Sequence, residues 1–182
     1  MTIKIGKNKE KRMQQGLSLI EASMVLALSA VVVAGAVMYY GSSSESAKVQ
    51  RAQSQLGGIQ SAVASLYATQ ASYSGLNNVV LKNSRALPSS YFSGTGDLLS
   101  PWNGKVTVVA IDPGNTYKIE FESVPANACV KLAVTDPGTS VRKITIGNNN
   151  IVKFPASLAD ASSFCNATGD ADVTETVAYI VG

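Results

Sequence analysis

Glu21 is the residue in this chain whose type and position most need a chemical reason. It is the lone charge in an apolar run of about 24 residues, Leu17 to Tyr40, that begins directly after Gly16. A carboxylate inside a helix of membrane length costs roughly 2–3 kcal/mol unless something compensates it. A cut after Gly16 would supply the compensation, because the freed α-amino group of Leu17 would be cationic, with an ordinary pKa of about 8. A helix with an amine at its start and a carboxylate one turn in can pair with a copy of itself, each Glu21 neutralising a neighbouring Leu17 terminus within an apolar bundle. The chemistry is charge neutralisation between chains.

Catalytic and metal chemistry find little support. The chain has no histidine, which removes Ser-His-Asp and Cys-His catalysis and histidine-containing zinc sites. An enzyme would need a Ser-Lys or carboxylate pair, and no motif places one, so neither enzymatic activity nor a cofactor is expected. Asp170, Asp172 and Glu175 could touch a calcium ion by spacing, but the surrounding loop lacks a recognised ligand pattern, and a solvated acidic turn is the simpler reading. Asn166-Ala167-Thr168 matches a glycosylation sequon of little weight. Cys129 and Cys165 lie too far apart for a Cys-x-x-Cys redox or zinc pair. In an exported protein they suit a disulfide, worth on the order of 3–4 kcal/mol in the chain-entropy picture; two reduced buried thiols are the alternative.

The elements that must position these groups follow from the hydropathy pattern. Five cations and one acid fall in residues 1–16, which fits the positive-inside rule and keeps the N-terminus cytoplasmic. The rest carries ten basic and eleven acidic side chains, a balance of −1 that gives no basic patch for nucleic acid. At 1.5 Å per residue the apolar run reaches about 36 Å, enough to span a bilayer with some tilt. Ser23, Ala27, Ala30 and Ala34 form a stripe of small residues along it, where other helices can approach. Gly35 and Gly41-Ser42-Ser43-Ser44 are its weakest helical stretches, where melting on assembly should start.

After Tyr40 the pattern turns amphipathic without a break. Val49, Ala52, Leu56, Ile59, Val63 and Leu66 recur every three or four residues, predicting one continuous helix of about 50 residues. Gly57-Gly58 predicts a bend or close contact, and Gly75 a stop near Tyr73-Ser74-Gly75. Beyond it, Lys105 to Ile111 and Tyr117 to Val124 read as a hairpin across Asp112 to Asn115. Val141 to Ile146 and Ile151 to Phe154 read as a second pair across Gly147 to Asn150, and Glu175 to Val181 as a closing strand. Cys129 to Val134 and Ala156 to Phe164 read as short helices, with Ser157 a cap. The fold class is α+β: a long N-terminal helix, half transmembrane and half amphipathic, packed on an antiparallel sheet.

The junction GLSLIEAS resembles the class III prepilin signal of type IV pilins and related pseudopilins. Leucine after the glycine, the stretch GLSLIEASMVLALSAVVVAG, YATQASYSGL at Tyr67 to Leu76 and the C-terminal cysteine pair are similar to type IVb pilins, especially the bundle-forming pilin of enteric bacteria. Pro101-Trp102-Asn103-Gly104 also resembles the Pro-aromatic turn ahead of the sheet in many pilins.

The resemblance implies a leader of residues 1–16, a long helix at 17–74 (17–40 transmembrane and filament core, 41–74 amphipathic) and a head at 75–182 with a disulfide-bounded region 129–165. It implies cleavage between Gly16 and Leu17, N-methylation of Leu17, a Glu21–Leu17 assembly pair, and a Cys129–Cys165 disulfide. It further implies self-polymerisation, a prepilin peptidase, an assembly ATPase with its platform protein, and a secretin as partners. The precursor would sit in the inner membrane with its head in the periplasm, then become a major subunit of a surface filament for adhesion, aggregation or related roles.

Competing readings are a minor pilin or secretion pseudopilin, a secretory signal cut before Val37, and an uncleaved anchor carrying a periplasmic binding domain or enzyme.

Overall fold

The computed structural model describes residues 18–166 and 173–182. Two compact units meet between Ser42 and Ser43. Helix α1, Leu19–Leu66, contributes to both and runs through Gly35, Gly41 and the Gly57-Gly58 pair without interruption. No tight approach explains those paired glycines: a Cβ at Gly57 would meet open space, and one at Gly58 would make an ordinary 3.9 Å contact with Tyr91.

The helix ends earlier than Gly75 suggested. After Leu66 the chain turns so that the Tyr67 ring packs at a tilt against Tyr73, with ring centroids 5.7 Å apart, and Tyr73 packs edge-on against Tyr117 at 4.8 Å. The Tyr73 N–H donates to the Gly114 carbonyl at 2.5 Å. Aromatic packing against the first hairpin thus overrides local helix propensity over residues 67–73. Gly75, at φ 81°, serves the turn into helix α2, Asn78–Asn83. That helix was not legible from periodicity, since six residues hold less than two turns. Its signal was Asn77, whose side chain accepts from the Val79 and Val80 N–H groups.

Within the second unit a five-stranded antiparallel sheet runs in the order β1-β2-β5-β3-β4. Strands β1 (Val106–Ile111) and β2 (Thr116–Pro125) form the predicted hairpin, with Ile111 opposite Thr116. Strands β3 (Val141–Ile146) and β4 (Asn149–Ile151) pair through a tighter turn than predicted, because Asn149 and Asn150 join the ladder opposite Ile146 and Thr145. β5 (Thr174–Val181), last in sequence, is central and links the two hairpins. Helix α3, Ala126–Val134, starts three residues ahead of Cys129, and α4, Leu158–Phe164, is capped by Ser157, whose Oγ accepts from the Asp160 N–H.

One face of the sheet and residues 49–63 of α1 share a single core. Ile59 and Val63 of the helix and Ile119, Ile144 and Val177 of the strands are fully buried in it. The period of α1 and the alternation of the strands meet there, and burial of each such side chain stabilises the fold by about 1.5–3 kcal/mol. Gln55 is buried in the same helix face, which its polarity hid from the pattern; its Nε2 donates to the Leu99 carbonyl at 2.8 Å.

Candidate functional site

Sequence chemistry pointed to the start of α1. Gly16 and Leu17 lie outside the described residues, as do Asp170, Asp172, Ala167 and Thr168. Glu21 is described, and it belongs to a capping arrangement that its isolation in the apolar run had hidden. Its Oε2 accepts from the Ser18 N–H at 2.9 Å, while Ser18 Oγ accepts from the Ile20 N–H at 3.3 Å. Ser18-x-x-Glu21 is therefore a capping box, in which side chains satisfy two backbone donors that the helix start leaves free. The spacing was legible in advance: a serine three residues ahead of a glutamate at the head of an apolar run. The Glu21 carboxylate lies at the start of the helix, against the amide one residue past Leu17.

Along the rest of this stretch the large apolar side chains are left uncovered by the described residues. Leu19 is 90% exposed and Met38 78%, and Val25, Leu28, Val32 and Val37 are all exposed. The helix is long and apolar enough to cross a membrane. Its hydroxyls are satisfied internally, Ser23 Oγ donating to the Ile20 carbonyl at 2.8 Å and Ser29 Oγ to that of Val25 at 2.7 Å. The surface presented to the surroundings therefore makes few polar demands, as an apolar medium or a set of similar helices requires.

The head unit has its own polar fastening on α1. Glu45 accepts from Lys48 Nζ at 2.9 Å and from the Trp102 indole N–H at 3.2 Å, and Lys131 of α3 reaches Ser46 Oγ at 3.3 Å. The hydrogen-bonded Lys48 ammonium, helped by Trp102 and the Lys131 charge, holds the Glu45 carboxyl below the usual carboxylate range, although partial burial works the other way. Trp102 is presented by a tight turn in which buried Ser100 Oγ accepts from the Trp102 and Gly104 N–H groups at 3.3 and 3.1 Å. Gly104 is required there, since a Cβ would fall 1.8 Å from the Glu122 carbonyl oxygen.

Cys129 of α3 and Cys165 at the end of α4 form a disulfide with Cα atoms 5.8 Å apart, both fully buried. At the outer edge of the sheet the Asn78 side chain acts as a short strand, donating to the Val106 carbonyl at 2.7 Å and accepting from the Val108 N–H at 2.7 Å. This closes an edge that would otherwise invite another strand. Among the described residues no cluster of three or more acidic, cysteine or histidine side chains could hold a metal, and Glu175 instead accepts from the Asn166 amide at 2.5 Å.

The Bundlin family profile matches residues 41–181. The chain belongs to the Bundlin family. It is 36% identical, over 97% of its length and 99% of the relative's, to the major structural subunit of the bundle-forming pilus of Escherichia coli O127:H6, and 35% identical over the same shares to that of strain O111:H-. Among solved structures, a type IVb pilin from Salmonella typhi superposes with a TM-score of 0.59 at 20% identity, covering 70% of this chain and 95% of its own. A type IV pilin from Vibrio cholerae gives 0.51 at 13% identity, covering 74% and 99%. The fold is thus that of a type IV pilin: a long N-terminal helix with an antiparallel five-stranded sheet. In this member the head fastening by Glu45, Trp102 and Lys131 escaped sequence reasoning, because it joins residues 57 and more positions apart through single side chains.

Proposed function

We propose that the chain is the major structural subunit of a type IVb pilus. The observation that carries this reading is the stretch of α1 ahead of Ser43, whose large apolar side chains are uncovered and whose one acid stands at the helix start. Likeness to two major pilus subunits over nearly the whole chain supports it. The precursor sits in the inner membrane with its head in the periplasm, and prepilin peptidase cuts between Gly16 and Leu17 and methylates the new terminus. An assembly ATPase with its platform protein then moves the subunit into a filament that leaves through a secretin. Leu17 to Tyr40 exchange lipid for the same stretch of other copies, and Glu21 pairs with the Leu17 amine of a neighbour. The capping box supports this pairing, because it holds the carboxylate beside the first peptide groups of the mature chain. The role is structural rather than enzymatic, and contact with other cells follows from the filament's place on the surface.

Mass measurement of sheared surface fibres tests the reading. Fibres composed mainly of this chain and beginning at a methylated Leu17 are expected. A minor subunit or a pseudopilin would leave the chain scarce in such fibres, a secretory signal would leave Val37 first, and an anchored periplasmic protein would leave Met1 or Thr2 first with no fibre at all.

A further inference from the structure

Gly57 lies in the interior of α1, and no contact among the described residues explains it. A helix-interior glycine is less stable than alanine, a Cβ at this position would meet open space, and the residue is exposed. Gly58 differs, because its Cβ would touch Tyr91. Whatever needs the missing side chain of Gly57 therefore lies outside the single chain.

Beside Gly57 is a cavity of about 130 Å³, bounded on α1 by Gln53, Leu56 and Gln60, past the end of α3 by Thr135 and Asp136, and on β5 by Tyr179. Part of this lining is satisfied. Gln53 Nε2 donates to Thr135 Oγ1 at 3.0 Å, and that hydroxyl donates to the Lys131 carbonyl at 2.7 Å. Two other groups are not: Gln60 Nε2 is buried with no partner among the described residues, and Tyr179 is 2% exposed, with burial alone pushing its hydroxyl pKa up. Both can donate, so the missing partner is an oxygen acceptor. Water could supply one, but water needs no glycine on the open side of the helix. A helical fibre is built from heterologous contacts, in which a recess on one copy receives a different surface of the next. Because α1 is one helix from Leu19 to Leu66, copies packed through its apolar stretch hold their heads at high effective concentration.

We propose that the recess at Gly57 is a socket for the head of a second copy in the fibre, with the neighbour's chain close against Gly57 and one of its oxygens accepting from Gln60 and Tyr179. The socket rests on the chain being a filament subunit, whether major or minor.

Thiol labelling of sheared fibres tests it. In Gly57→Cys the introduced thiol is the one free thiol, since Cys129 and Cys165 are joined. A maleimide should modify it at least about tenfold more slowly in intact fibres than in detergent-dispersed subunits, because only uncovered sites react. Asp136→Cys, exposed at the edge of the same cavity, should show the same protection without altering Gly57. Gly57→Leu should lower fibre yield by about tenfold or more, as expected from losing a close contact, while membrane insertion, cleavage and the melting temperature of the head stay native. Gln60→Leu should lower yield several-fold in a head at least as stable, since it removes the unpaired donor. Gly58→Ala, on the side of Tyr91, should assemble normally. Equal labelling in fibres and dispersed subunits would overturn the socket, as would native yield from Gly57→Leu or a fall in its melting temperature, which would assign the glycine to the fold. Absence of fibres from the native chain would sink the filament reading itself, and the socket with it.

Discussion

α1 passes through two environments, and the contrast between them locates the function. From Val49 to Val63 its apolar residues are those of a soluble domain, buried against the sheet on one stripe with Arg51, Ser54 and Ser61 on the other. From Leu19 to Tyr40 they surround the helix, and every large one is exposed. One stretch is complete within a single chain; the other is complete only in lipid or among copies. Stability of the head and competence to assemble should therefore respond to different residues.

The largest separation is expected at Glu21. Glu21→Ala should cut fibre yield by at least about tenfold, on the scale of losing a buried ion pair, while the head unfolds at an unchanged temperature; electron microscopy of surface material with calorimetry of the purified chain reads both. Normal fibres would break the comparison at its centre. The converse holds for the head, where Cys129→Ser with Cys165→Ser should cost about 2–5 kcal/mol of head stability and leave membrane insertion intact, as denaturant melts and membrane fractionation would show.

A matched pair sharpens the contrast within α1 itself. Ile59→Ala should destabilise the head by about 2–5 kcal/mol, because it opens a cavity in packed core, whereas Leu28→Ala should change head stability by less than about 0.5 kcal/mol. Equal effects in denaturant titration would mean that the two stretches do not differ as described.

The smallest effect concerns Glu45, near the start of the head unit. Its folded carboxyl titrates below the ordinary range, so the unfolded chain takes up the proton first as pH falls. The stabilisation is present above about pH 4–5, fades as pH drops through the folded value and is absent below both. For a half-exposed pair this amounts to at most about 1 kcal/mol. Glu45→Gln should flatten that part of the stability–pH profile and leave the neutral-pH fibre unchanged.

Much of this molecule was legible beforehand, for reasons that differ by element. The hairpin across Asp112 to Asn115 and the Val49–Val63 stripe carry periods of two and of three to four, as one face of a core requires, while β3 and β5 showed as short apolar runs bounded by turn residues. The end of α1 at Leu66 was not legible, because Tyr67 and Tyr73 are held by Tyr117 and the Gly114 carbonyl, more than forty positions away. α2 was too short to show a period, and β4 too polar.

By itself the sequence determined what this chain must hide and where it must be compensated: an unbroken apolar run can sit only in lipid or among other apolar helices, and a lone acid in it needs a positive partner. Those are solvation requirements, fixed by composition and spacing. Tertiary structure decided how the head is closed. It placed Asn78 along the edge of β1 and Trp102 on Glu45, because such contacts depend on where the folded backbone brings distant side chains, and no local pattern encodes that.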